Sequence, residues 1–304
     1  MREAFKRLNN GIFMVIKRSA TTISNAQYCM KLVKNHDYEN FVTMLWLKRD
    51  ARSCAFAVRS FNIEVSRIAE QVTQREIGLM RIQFWDDVVN HCFSNESRKI
   101  PRHPVAIELF KAVHNYGLSK RNLKNLLNSR REYFGVNGFK TLDEMEKYLE
   151  LSVSSAYYLI LQACGIKDIN ADHAASHLGK AQGIVQQLRN VPMSQRLNFV
   201  SIPQELLTKY RISHEELFRC KPSDLLGNCV YEMASRAYQH LMKARSLQKN
   251  ISVDGRRVFL PAIATFAYLD RLQKADYNIF HQKLKYRPWD LLLQIWLSNF
   301  RNQH

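Results

Sequence analysis

The sequence predicts a single all-α domain. The 304 residues include only ten glycines and seven prolines, too few for the many turns of a β-sandwich. Apolar residues recur at steps of three and four along most of the chain, which is the spacing of amphipathic helices. There is no repeat period and no Ser-, Gly- or Pro-rich linker that would divide the chain. Hydrophobic residues make up 46% of the chain, enough for one substantial core.

The first half of the chain contains four predicted helices after residue 50. In the first, apolar positions alternate in steps of four and three from Cys54 to Val72. The second contains Ile77 to Val89, and the third runs over Val105 to Tyr116 after Pro104. Ser119 starts a basic helix that Gly135 ends.

Capping residues and prolines place the helices of the second half. Thr141 with Glu144 and Ser213 with Glu216 have the spacing of capping boxes, which open helices. The other predicted features are a helix from Thr141 to Gly165, a helix over Leu178–Ser194 closed by Pro192, a helix from Ser223 to about Ser246, a helix from Pro261 through Phe280, and a last helix from Trp289. The segment VDGRRVFLP is predicted to be extended, with a turn at Asp254–Gly255.

The N-terminus has the pattern of a mitochondrial presequence. It is basic and nearly free of acids, and its apolar residues fall near one helical face. We therefore expect residues 1–30 to be a presequence and residues 31–304 to be the folded domain; an ordinary N-terminal helix is the alternative. No apolar run approaches the roughly 20 residues that a spanning helix needs. Any membrane association should therefore be peripheral.

The charge balance favours acidic partners. Forty-five Lys and Arg against 27 Asp and Glu give a net charge of +18, which suits an anionic membrane surface or nucleic acid. The aromatic residues are not interleaved with cations as in a single-strand-binding platform, so no nucleic acid partner is expected. The six cysteines form no C-x-x-C pair and are predicted to be free thiols in a reducing compartment.

Few residues suggest chemistry. His173 and His177 are four apart and could share a helix face as metal ligands, but no third ligand lies nearby, so structural or surface histidines are the simpler interpretation. Asp86 and Asp87 point about 100° apart on a helix and are interpreted as a solvated edge. No G-x-S-x-G elbow or phosphate-binding glycine loop occurs. The pattern therefore predicts no catalytic residue, no metal and no cofactor.

Two basic segments are candidates for membrane-surface contacts. Lys120, Lys124 and Arg131 lie on one side of the basic helix, with leucines opposite. A second cluster over residues 283–287 precedes the apolar WDLLLQIWLSNF, which could dock on lipid or on a partner helix. A solvated face and packing against the core are the respective alternatives.

Two longer segments resemble the squalene/phytoene synthase family. RSCAFAVRSFNIEVSRIAE is similar to the family helix that carries its first aspartate-rich motif. HLGKAQGIVQQLRNVPMS, followed by SIPQELLTKYRISHEEL, is similar to the second motif helix and the segment after it. The resemblance implies an isoprenoid-synthase-like helical bundle around a central cavity. In active members, aspartates on the two facing helices bind Mg²⁺ ions that hold prenyl diphosphates.

The chain departs from both motifs where the family has metal ligands. The substituted motif positions are Ser66, Arg67, Glu70, Gly183, Gln186, Asn190 and Ser194. Glu70 alone cannot assemble a site for several Mg²⁺ ions, which need multiple oxygen ligands. The resemblance therefore implies a pseudoenzyme rather than a catalyst.

Within that family, AVRSFNIEV and GLMRIQFW look like a non-catalytic subgroup that assists assembly of respiratory complex I, NADH:ubiquinone oxidoreductase. The subgroup implies a mitochondrial protein on the matrix side of the inner membrane, with complex I subunits or assembly intermediates and anionic lipid as partners. Arg67, Lys180 and Arg189 are candidate contacts for an anion or client. The alternatives are a Mg²⁺-dependent prenyl diphosphate transferase and a matrix RNA-binding protein.

Overall fold

Helices form nearly all the regular structure in residues 23–94 and 96–301, the part of the chain that the computed structural model describes. No strand occurs in this part, where a single isolated parallel bridge joins Gly138 to Val200. The predicted all-α class is confirmed. In chain order the helices are α1 (Asn25–His36), α2 (Tyr38–Met44), α3 (Arg49–Ser66), α4 (Ile68–Gln71), α5 (Arg75–Phe93), α6 (Pro104–Tyr116), α7 (Lys120–Glu132), α8 (Leu142–Leu149), a π-helical segment (Glu150–Ser154), α9 (Ser155–Ala163), α10 (Ile169–Asn190), α11 (Ser194–Leu197), α12 (Gln204–Lys209), α13 (His214–Phe218), α14 (Asp224–Leu247), α15 (Val253–Arg256), α16 (Pro261–Gln273) and α17 (Leu291–Arg301).

The bundle is organised around its long helices. Helix α10 packs along α14, while α3 contacts α1, α6 and α9. Large side chains such as Phe61 and Tyr157 are completely buried between these elements. The two helices that carry the family-like segments, α3 and α10, thereby flank one cavity, described below.

The predicted helix starts are largely correct. The hydroxyls of Ser119 and Ser223 accept hydrogen bonds from backbone N–H groups three residues on, and Ser213 forms a complete capping box with Glu216. The box at Thr141 is only half formed. The Glu144 carboxylate accepts from the Lys140 N–H at 2.6 Å rather than from the Thr141 N–H.

Two predicted elements are wrong. The segment VDGRRVFLP is helical, because the Ser252 hydroxyl accepts from the Gly255 N–H and caps α15, which a 3₁₀ turn over Arg257–Phe259 continues. Helix α16 ends at Gln273 rather than Phe280, because Asp276 and Tyr277 take positive φ values of 50° and 57°. Such values interrupt a right-handed helix.

The predicted presequence lies mainly outside the described residues, which begin at residue 23. Its last six residues, however, belong to α1, where Cys29 is buried and its carbonyl accepts a hydrogen bond from the Ser60 hydroxyl at 3.0 Å. Residues 25–30 therefore belong to a helix that packs against the rest of the bundle. None of the described helices combines the length and apolar character needed to cross a membrane.

Two glycines let α10 approach the π-helical segment. A Cβ atom on Gly179 would lie 2.2 Å from Ser154 Oγ and 2.7 Å from Ser154 Cα, and one on Gly183 would lie 2.5 Å from Leu149 Cδ2. Any larger residue would push the two elements apart. This close approach brings the π-helical segment into the wall of the cavity beside α10.

Candidate functional site

A polar cavity of about 430 Å³ lies between α3, α10 and the segments that adjoin them. We call it the inner cavity. Its lining includes charged side chains from five parts of the chain together with amides and hydroxyls. The principal lining residues are Asp37, Glu39, Arg59, Asn62, Ser66, Glu70, Arg130, Ser152, Gln182, Gln186, Arg189, Asn190, Thr265 and Arg287.

On the α3 side, the buried Arg59 forms an ion pair with the partly buried Asp37. Arg59 is only 3% exposed, its Nη1 lies 3.7 Å from Asp37 Oδ2, and its guanidinium stacks over the Tyr157 ring at 4.8 Å. Asp37 also accepts from the Asn40 amide at 2.7 Å. Burial raises the pKa of Asp37, against the opposing effects of Arg59 and Asn40. This carboxyl group is therefore already committed to protein partners.

On the α10 side, Arg189 forms an ion pair with Glu39, a second acidic residue of the lining. Its Nη1 donates to Glu39 Oε2 at 3.0 Å, and its guanidinium stacks over the Tyr268 ring at 4.6 Å. Gln182, two turns earlier on α10, accepts from the Tyr157 hydroxyl at 2.8 Å. Asp37 and Glu39 are thus each paired with an arginine, and amides of α10 line the cavity beside them.

Arg130 adds a cation that no described carboxylate pairs with. Its Nη1 donates to the carbonyl oxygens of Leu126 and Ser152, at 3.1 and 3.2 Å, and burial lowers its pKa. The Nε atoms of Arg130 and Arg59 are buried and have no hydrogen-bond acceptor among the described residues. Buried donors without partners are costly, so the inner cavity is chemically suited to receive an anionic or hydrogen-bond-accepting group.

The residues present do not fit the Mg²⁺ ions that the family resemblance implies. Magnesium takes near-octahedral oxygen coordination and binds proteins chiefly through carboxylates. Asp37 and Glu39 are paired with arginines, and Glu70 is an exposed residue of the cavity lining. Within residues 23–94 and 96–301, no three His, Cys, Asp or Glu side chains come together as a metal site.

The structure separates the substituted motif positions into two groups. Ser66, Glu70, Gln186 and Asn190 line the inner cavity. Gly183 instead packs under Leu149, and the buried Ser194 hydroxyl donates to the Val191 carbonyl at 2.8 Å.

Of the three predicted anion contacts, only Arg189 lines the inner cavity. Arg67 lies outside the lining with its Nη1 3.1 Å from His36 Nε2, and Lys180 pairs with Glu150 at 3.5 Å. Sequence reasoning missed Arg59 and Arg130. The spacing of Arg59, Asn62 and Ser66 could have placed Arg59 in the site, because residues three and seven positions apart share one helix face.

The predicted membrane-facing side of α7 lies against α5 instead. Lys124 Nζ is 2.7 Å from Asp86 Oδ1, Arg131 Nη2 is 3.8 Å from the same oxygen, and Lys120 lies over the Phe93 ring. Lys124 and Arg131 are therefore paired with an acid of α5, whereas Lys120 remains exposed. The prediction of a solvated Asp86 is also wrong, since its side chain is 13% exposed and ion-paired.

His173 and His177 lie in different surroundings. His173 is exposed, whereas His177 Nδ1 lies 2.8 Å from Nδ1 of His240 on α14. His240 in turn contacts Glu146 Oε1 at 3.2 Å. His177 therefore belongs to a packed polar cluster between α8, α10 and α14.

The fold and the two motif helices define the class of protein: the chain belongs to the squalene/phytoene synthase family, whose model matches residues 33–290. A relative from Bos taurus, "NADH dehydrogenase (ubiquinone) complex I, assembly factor 6", is 37% identical over 91% of this chain and 83% of its own length. The Drosophila melanogaster homolog of that factor is 40% identical over 84% of this chain and 78% of its own length. A chloroplastic phytoene synthase from an Oncidium hybrid is 20% identical over 91% of this chain and 69% of its own length.

Solved structures share the fold at low identity. A dehydrosqualene synthase in complex with ligand has a TM-score of 0.78 at 16% identity, covering 91% of this chain and 96% of that one. The squalene synthase HpnC from Alicyclobacillus acidocaldarius has a TM-score of 0.73 at 16% identity, covering 84% of this chain and 95% of its own. The bundle predicted from the resemblance is thus confirmed.

Proposed function

We propose that this chain is a non-enzymatic assembly factor for mitochondrial respiratory complex I that acts peripherally on the matrix side of the inner membrane. Relatives 37% and 40% identical carry the name of such a factor. The single observation that carries the non-enzymatic part is the pairing of Asp37 with Arg59 and of Glu39 with Arg189.

These two ion pairs oppose catalysis of the prenyl-transfer type for a physical reason. A divalent ion placed at either carboxylate would also face the neighbouring guanidinium. Like charges about 4 Å apart repel by roughly 4 kcal/mol per unit charge at an effective dielectric constant near 20. Arg130, which no described carboxylate pairs with, adds a further guanidinium, so the cavity can hold an anionic group without a metal ion.

The same geometry supports a recognition role for the inner cavity. Arg59, Arg130 and Arg189 present guanidinium groups from three different helices, and amides of α10 lie between them. Guanidinium groups bind carboxylates and phosphates in a fixed geometry. We infer that the inner cavity receives an acidic group of a complex I subunit or assembly intermediate.

Loss of the protein from cells, followed by native-gel separation of the respiratory complexes, tests the proposed function. A selective deficit of complex I is expected, and the wild-type chain should restore it. An equal loss of all complexes, or no loss, would contradict the assembly role.

Rescue with variants tests the cavity separately. Glu39→Gln combined with Arg189→Gln removes one ion pair without leaving a lone buried charge, and we expect poor rescue of complex I. Asp270→Asn combined with Lys274→Gln removes an exposed pair of 2.7 Å as the matched control and should rescue fully. Full rescue by the cavity variant would leave assembly intact as a function but remove the inner cavity from it.

A further inference from the structure

The C-terminal helix α17 carries an exposed apolar face. Leu291 and Ile295 are buried against Leu260, Ala264 and Ala267, so one side of the helix packs on α16. The exposed side consists of Leu292, Leu293, Trp296 and Phe300, with exposures of 49%, 52%, 48% and 76%. At 100° per residue these four side chains lie within an arc of about 100°. We call them, with Trp289 just before the helix, the α17 face.

Trp289 extends this face beyond the start of the helix, and it is 91% exposed. Trp296 and Phe300 stack with ring centroids 5.9 Å apart. Exposed tryptophans in such a cluster are unusual on a surface that meets only water. We therefore expect the α17 face to be covered by a binding partner.

A basic segment borders the α17 face and is fixed in place. Arg271 on α16 donates to the carbonyl oxygens of Lys283 and Tyr286, at 2.9 and 2.6 Å. Lys283 and Lys285 are exposed and form no ion pair with any residue the structure describes. Over residues 283–301 there are four cations and a single acid, Asp290.

We propose that the α17 face, together with Lys283 and Lys285, docks this protein on an anionic lipid bilayer. Helices that lie in a membrane surface combine an apolar face containing Trp, Phe and Leu with flanking Lys and Arg. Protein–protein interfaces, in contrast, are depleted of Lys. The complementary charge of the basic segment therefore selects the bilayer over a partner protein. The inference rests on the peripheral membrane location proposed above and names the surface responsible.

This docking would place the inner cavity beside the membrane. Arg287, two residues before Trp289, stacks over the Tyr38 ring at 4.5 Å, and both residues line the inner cavity. The rim of the cavity is thus continuous with the basic segment. An acidic group at the bilayer surface would lie within reach of the cavity arginines.

Co-sedimentation of the full-length chain with vesicles tests the proposal. The chain should bind vesicles of equimolar phosphatidylcholine and phosphatidylglycerol more tightly than vesicles of phosphatidylcholine alone. Leu293→Glu with Trp296→Glu should weaken binding to the mixed vesicles on the order of 100-fold, because two apolar side chains no longer enter the lipid. Lys283→Ser with Lys285→Ser should weaken it by about 30-fold, since each Lys near an anionic surface contributes about 1 kcal/mol.

Met80→Glu with Ile169→Glu is the matched control, because both side chains are 72% exposed but belong to α5 and α10. This variant should bind as the wild type does. Tryptophan fluorescence gives a second readout, since Trp85 is buried and Trp46 is half-buried. A blue shift on vesicle addition should disappear in Trp289→Phe with Trp296→Phe while sedimentation persists.

Three results would overturn the proposal. The first is no binding of the wild-type chain to either vesicle, and the second is undiminished binding of both the glutamate and the serine variants. The third is a wild-type dimer in solution that Leu293→Glu with Trp296→Glu dissociates without any vesicle binding. Complex I levels do not enter this assay, so failure of the assembly role and failure of membrane docking are distinguishable.

Discussion

Gly179 provides a quantitative test of the packing that forms the cavity wall. An alanine there would place its Cβ 2.2 Å from Ser154 Oγ and within 2.8 Å of the Ser154 backbone nitrogen. Backbone atoms of a packed helix cannot move aside easily, and overpacking of this kind costs about 1–3 kcal/mol. The expected result of Gly179→Ala is therefore a loss of stability.

Gly227→Ala is the matched control. Gly227 also belongs to a long helix, α14. The nearest atom to a Cβ added there would be the Asp276 carbonyl oxygen at 3.7 Å, which is an ordinary van der Waals contact. The gain in helix propensity from Gly to Ala, about 0.5–1 kcal/mol, applies at both positions and cancels in the comparison. Gly179→Ala should thus be about 1–3 kcal/mol less stable than Gly227→Ala.

Urea unfolding followed by circular dichroism measures this difference directly, provided that the slopes of the two transitions agree. Thermal unfolding should show the same order, with Gly179→Ala melting several degrees below Gly227→Ala. Equal stability of the two variants would refute the close contact between α10 and the π-helical segment.

Three further predictions concern titration, ion pairing and processing. Burial and the facing His240 lower the pKa of His177 from 6.5 to about 4. Between these two pH values the unfolded chain is protonated at this residue and the folded chain is not, so stability should fall as the pH drops from about 6.5 towards 4. Unfolding of His177→Gln across that range should depend less on pH, and an unchanged dependence would contradict the lowered pKa. Arg59→Met should destabilise the fold by about 1–3 kcal/mol, because the partly buried Asp37 loses its cation. Adding Asp37→Asn should recover most of that loss in urea unfolding, whereas no recovery would argue against the pair. Mass spectrometry of the protein purified from mitochondria should find the mature N-terminus at or before Ser24, whose hydroxyl caps α1; a terminus beyond Cys29 would remove a buried part of the helix.

The fold could be predicted from the sequence because the signals that define its helices are local. Helix caps such as Ser213 and Ser223 depend on hydrogen bonds to residues three positions away, and apolar spacing reports which face is buried. The predicted strand-like segment failed for a local reason too. Its apolar residues fit either period over so short a stretch, and the Ser252 cap decided in favour of helix.

The candidate site was only partly predictable, because it depends on pairings between distant residues. Arg189 meets Glu39 from 150 positions away, and Lys124 meets Asp86 from 38 positions away. A sequence pattern shows that such side chains are charged but not what they face. For this reason the sequence did not show that Arg67 faces His36 or that Lys124 faces Asp86, and Arg59 was overlooked although its helix was correctly predicted.

Arginines pair with Asp37 and Glu39 in the inner cavity, and we propose for this reason that the cavity binds an acidic group and does not turn over prenyl diphosphates. Incubation of the purified chain with farnesyl diphosphate, with and without Mg²⁺, tests this claim most directly through release of diphosphate. The account predicts no release above the rate without protein under either condition. Release that depends on both the chain and Mg²⁺ would contradict it.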